Sequence, residues 1–157
     1  MSRKYDIETY IAETLAMVQA NLPAKIIEIN AEKSDGTEIK QVPDADYFNS
    51  TSAQIFNSDP FIYYGLTDIE AEPAGSKTII TITMNFEVVF NNSNSGNTLE
   101  KVLRYSRSLR EVFQENFMGS SKHSGYKVTE LPPANAPLNQ GSDFKIGGVS
   151  IVSTIAG

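Results

Sequence analysis

The chain has no cysteine and no tryptophan, and its one histidine is His123. Disulfides, thiolate nucleophiles and cysteine metal sites are therefore excluded, and a multi-histidine metal cluster with them. No apolar run approaches the roughly 20 residues that a membrane-crossing helix needs. Basic residues are also scarce: 13 lysines and arginines face 19 aspartates and glutamates, giving a formal net charge of −6 and a pI near 4.8. Sequence-independent binding to a phosphate backbone is disfavoured by that balance. The N-terminus, MSRKYDIETYIAETLAMVQA, begins basic, but Asp6, Glu8 and Glu13 interrupt the apolar core of a would-be secretory signal. The expectation is a soluble protein made and used without secretion, with no membrane partner.

What is present is an ordinary globular balance, 40% hydrophobic and 20% charged over 157 residues, enough for one domain with a real core. Ile7, Ile11, Leu15, Val18 and Leu22, with Tyr10 and Met17 beside them, predict a helix over about 6–22 capped by Asp6. Pro23 suits the first turn of a second helix, about 23–33, stopped by Asp35-Gly36, although Ile26, Ile27 and Ile29 leave a strand open there. Residues 40–60 read as a long polar loop with a short turn of helix. From 61 to 90 the period becomes two. Ile80, Ile82, Met84, Phe86, Val88 and Phe90 alternate with Thr81, Thr83, Asn85 and Glu87, a half-buried strand paired with Phe61–Glu72 across Pro73-Ala74-Gly75-Ser76.

After the polar loop 91–97, a helix over about 98–117 places Leu99, Val102, Leu103, Ser106, Leu109, Phe113 and Phe117 on one side, starting from Asn97 and Glu100. Strands follow at about 126–131 and 144–155, the latter with a β-bulge expected at Gly147-Gly148, where the apolar phase shifts. The predicted fold class is α+β: a single domain with a mainly antiparallel β-sheet and helices packed on one face.

No constellation points to catalysis or to a cofactor. His123 sits in GSSKHSG, reads as an exposed loop residue, and has no G-x-S-x-G elbow for company. Asp44 and Asp46, with Asn49 and Ser50, could offer oxygens to calcium, but their spacing fits no EF-hand and a solvated acidic loop is the simpler reading. Asp68, Glu70 and Glu72 alternate on one strand face, the wet side of the sheet. The expectation is a protein that is not an enzyme and carries no metal or cofactor.

The departure from the ordinary is LEKVLRYSRSLREVF at 99–113, which holds three of the four arginines of an acidic chain: Arg104, Arg107 and Arg110. Arg107 can pair with Glu111 and Glu100 with Arg104, a self-neutralised outer face. Arg110 projects into the apolar sector near Leu99, Leu103 and Phe117. There it must snorkel past the core edge or meet a carboxylate, for which another subunit is one source.

Four stretches carry a family resemblance: the N-terminal helix running into NLPAKIIEI and EKSDG, the hairpin closing with ITITMNFEVVF, the helix VLRYSRSLREVFQENF after a polar loop, and the C-terminal pair YKVTELPP and FKIGGVSIVSTIAG. Together they resemble the tail terminator (tail completion) proteins of long-tailed bacteriophages. The resemblance implies a structural subunit that assembles, usually as a hexameric ring, on the end of a finished tail tube and stops its growth. It implies as partners identical subunits, the tail tube protein, a neck or head connector and a tail sheath, with DNA passing through the lumen unbound. It also implies a place in the virion at the head–tail junction after assembly in the host cytoplasm. Arg104, Arg107, Arg110 and Glu111 are then the candidate subunit or neck interface, since a self-complementary charge pattern suits a head-to-tail ring contact. Alternatives are another neck, head-completion or baseplate subunit, and a small α+β enzyme or ligand-binding domain.

Overall fold

The computed structural model describes residues 6–49, 59–91, 97–116, 123–135 and 144–156. Two helices, α1 (Ile7–Lys33) and α2 (Thr98–Asn116), accompany six strands: β1 (Tyr47–Phe48), β2 (Phe61–Ala74), β3 (Lys77–Asn91), β4 (His123–Glu130), β5 (Ala134–Asn135) and β6 (Phe144–Ala156). The sheet order is β1-β2-β3-β6-β4, with β5 also on β6, and every pairing is antiparallel except the short β1–β2 contact. The helices lie on one side of this sheet. The fold is the α+β domain that the change of period from 3.6 to two predicts.

The N-terminal segment is one helix, not two. Asp6 caps it through its carboxylate, which accepts from the Thr9 amide at 2.8 Å. Pro23 then sits inside the helix instead of opening a new one. Tertiary packing overrides the local break: Tyr10, Thr14, Val18, Leu22, Ile26 and Ile29 form one continuous buried stripe that runs through the proline. The strand left open over Ile26–Ile29 is absorbed into the same helix. Tyr10 and Thr14 hold the centre of the stripe, while Ile7, Ile11, Leu15 and Met17 pack at its margin. The helix ends one residue before Ser34, which takes the left-handed conformation at φ 43°, its amide bonded to the Asn30 carbonyl.

The segment after α1 is strapped down. The Asn30 amide side chain brackets Ile39, accepting its N–H at 3.0 Å and donating to its carbonyl at 2.9 Å. The Tyr105 hydroxyl does the same for Lys40, at 2.9 Å and 3.0 Å. Within the expected long loop, a single 3-10 turn (Asp44–Asp46) leads into β1, and residues 50–58 lie outside the described residues.

The hairpin is tighter and longer than its sequence suggests. Pro73 and Ala74 are still paired, opposite Thr78 and Lys77, so the turn is Gly75-Ser76, with Gly75 at φ 66°. Ile82, Met84, Phe86, Val88 and Phe90 face the helices and are buried, as the alternation requires. The bulge expected at Gly147-Gly148 is absent: the β3–β6 register is unbroken from Ile79↔Ala156 to Asn91↔Phe144. Shifts fall instead in β2 between Leu66 and Asp68, where Thr67 is extra, and in β4 between His123 and Gly125.

The two glycines answer a different need. A Cβ on Gly147 would stand 2.6 Å from the Val102 carbonyl of α2, and one on Gly148 would stand 2.1 Å from the Phe86 carbonyl. Gly148 instead sends its amide to Ser106 on α2 at 2.9 Å. The phase shift read from the sequence marks a close approach of helix and sheet. Ile146, just before it, faces the other side with Phe61 and Val89, a second, smaller apolar cluster. β4 begins at His123, three residues before the expected strand, so His123 opens a strand and is not in a loop.

Candidate functional site

The arginine helix does not present its charges outward. Antiparallel α1 and α2 carry complementary ladders along their shared seam. Lys25, Glu28, Glu32 and then Asp35 recur every three or four residues on one side, and Glu115, Glu111, Arg107 and Arg104 descend along the other. Lys25, buried, bonds Glu115 at 2.8 Å and Glu28 at 3.0 Å, and Glu111 stands 3.9 Å away. The Glu115 bond comes first among the interactions that hold the Lys25 ammonium above its ordinary pKa, against the opposing effect of burial.

Arg104 is the buried member, only 7% exposed. Its guanidinium grips both carboxylate oxygens of Asp35 and donates to the Thr37 carbonyl. This corrects two expectations: Arg104 does not lie on a solvated outer face, and its partner is Asp35, not Glu100. The reason is the neighbouring helix, which covers the side of α2 that periodicity alone assigned to water. The same guanidinium pulls the Asp35 carboxyl down to about 2.

Arg107 does pair with Glu111, at 2.6 Å from its Nε, and also bonds Glu32 across the seam. Its own pKa is raised by Glu32 first and Glu111 second, and Arg107 in turn lowers that of Glu32. Arg110 finds its carboxylate within the chain: Nε donates to Glu130 on β4 at 3.1 Å, and Nη1 to Gln114 at 3.1 Å. Arg107 and Arg110 remain about a third exposed. The structure thus brings Arg104, Arg107 and Glu111 into one seam and sets Arg110 apart on the opposite flank, over β4.

The apolar side of α2 is also turned from its expected direction. Val102, Tyr105, Ser106, Ser108, Leu109, Val112 and Phe113 face the core with Arg104 at their edge, while Leu99 is 55% and Leu103 48% exposed. Phe117 lies outside the described residues. Sequence reasoning missed the acids of α1 and β4 that receive the arginines. The three- and four-residue spacing of Lys25, Glu28, Glu32 and Asp35 was the signal that could have found the first set.

Elsewhere the titrating groups whose pKa is moved do not converge on a cleft. Tyr10, Tyr47 and Tyr105 are pushed up mainly by burial in separate parts of the core, and Glu87 is raised by half-burial on the sheet face away from the helices. Among the described residues no group of three or more histidine, cysteine or acidic side chains could hold a metal ion, and no helix is long and apolar enough to cross a membrane. These features define a single α+β domain with a helix pair whose seam cations are all paired within the chain. No family model matches the chain, and no curated protein does.

Proposed function

We propose that this chain is a structural virion subunit that closes the end of a phage tail tube as a ring of identical copies, stopping tube growth and joining the tail to the neck. The observation that carries the reading is the order of elements. The four stretches that resemble the tail terminator family form a long helix, a long hairpin, a second helix and a C-terminal strand pair, all within one packed domain. The arginine seam adds no weight, because its arginines find their carboxylates inside the subunit. Within this reading Arg104 is a stabilising residue, and the exposed ends of Arg107, Arg110 and Glu111 are what a neighbouring subunit or neck protein could reach.

The test is the native mass of the purified protein, alone and mixed with tail tubes and tube subunits. A closed ring that binds one tube end and blocks further addition of tube protein is the expected result. Binding to a neck connector but not to tubes would move the subunit to head completion. A monomer that neither tubes nor connectors retain would overturn the proposal.

A further inference from the structure

The four long strands alternate in direction across the sheet, β2-β3-β6-β4, so the two outer strands run in opposite senses. A second copy placed head-to-tail beside the first would therefore set its β2 antiparallel to β4 and continue the ladder without reversal. Both edges are open among the described residues. β1 pairs β2 only at Ile62 and Tyr63, leaving Tyr64–Ala74 unpaired on that side, and β4 has β6 alone as neighbour.

The side chains at the two edges match row by row. One cross-strand row reads Asp68↔Thr83, Thr83↔Val152 and Val152↔Lys127, an acid at one edge and a lysine at the other, on the face away from the helices. Asp68, Glu70 and Glu72 share that face on β2. Among the described residues none of the three has an ion-pair partner, nor has Lys127. On the helix face, the row through Ile69, Ile82 and Ser153 ends at Tyr126, and the row through Leu66, Met84 and Ile151 ends at Val128. Ile69 is 48% exposed, and Leu66 is exposed beside it. Arg110 bonds Glu130 at the end of β4, so its flank of α2 borders the same edge.

We infer that the β4 edge with this flank of α2 is one half of a subunit contact whose other half is the β2 edge and hairpin of a second copy. The inference rests on the ring reading above and names its contact. Backbone pairing continues the sheet, Lys127 meets Asp68 or, two residues along, Glu70, and Tyr126 and Val128 meet Ile69 and Leu66. The two patches differ, so the contact is heterologous and closes into a ring when the rotation allows. Charges and a proline at an edge can also serve to prevent such pairing. The test separates these roles.

Because the chain has no cysteine, a cross-link can be read without background. Within one subunit Asp68 and Lys127 are separated by three strand spacings, about 14 Å, beyond the reach of a disulfide. Full-length protein carrying Asp68→Cys with Lys127→Cys, oxidised at ring-forming concentration, should give a ladder of covalent oligomers ending in a closed species. Each single variant should stop at dimers. Glu70→Cys with Lys127→Cys reads the register shifted by two residues. Lys127→Glu should weaken self-association about tenfold, and adding Asp68→Lys should restore it. If the wild type forms rings while neither cysteine pair gives more than dimers and charge reversal changes nothing, this contact is wrong and the ring reading stands. If the wild type stays monomeric alone and on tubes, both fall.

Discussion

Truncating Arg104 should cost the subunit more stability than truncating Arg110, although position on the helix suggests the reverse. The Arg104 side chain is 8% exposed and makes hydrogen bonds to Asp35 and to the Thr37 carbonyl, closing the segment after α1 against α2. Alanine there removes a buried guanidinium and its packed stem. Asp35 stays half exposed and recovers water, which trims the loss. Charge-assisted hydrogen bonds and buried contacts of this kind put Arg104→Ala at about 2–3 kcal/mol. Arg110 and Glu130 are each about a third exposed, so Arg110→Ala should cost about 0.2–1 kcal/mol. In a domain of this size, these losses correspond to roughly 4–12 °C against no more than about 4 °C in Tm. Urea and thermal unfolding of both variants, followed by circular dichroism, would measure the difference. An Arg110→Ala loss equal to or above that of Arg104→Ala would refute the seam as the reason for the arginines.

Gly147→Ala should destabilise by about 1–3 kcal/mol, because the new Cβ meets the Val102 carbonyl and the helix must lift from the sheet; an unchanged urea midpoint would count against that close approach. Pro23→Ala should stabilise by about 1–2 kcal/mol by supplying the N–H missing from the middle of α1, and a lower Tm would show that the proline is there for the fold. Asp35, held at about 2 against an ordinary 3.8, binds protons more readily when unfolded. Its contribution is therefore present above about pH 4 and lost as the pH falls towards about 2. The stability gap between wild type and Asp35→Asn should narrow over that window, and a gap that stays constant would refute the pairing.

The sequence by itself determined the long strands and the fold class. Period two from Ile80 to Phe90 can be satisfied only by a half-buried strand, and the Ser/Asn/Gly stretches around it leave only α+β arrangements. Asp6 as a cap was equally legible, because capping is a local event. Tertiary structure decided whatever depended on a surface that the local chain does not contain. Pro23 reads as a helix boundary until the buried stripe from Tyr10 to Ile29 is seen to outweigh one missing hydrogen bond. The Gly147-Gly148 phase shift reads as a bulge until α2 is found resting on it. The arginines read as an outer face because periodicity reports which side of a helix is apolar, not which polar side another helix will cover. Arg104 became buried when α1 packed along its side of α2, while Leu99 and Leu103 stayed exposed. That choice is made by contacts about 70 residues apart in the chain, and no local pattern encodes it.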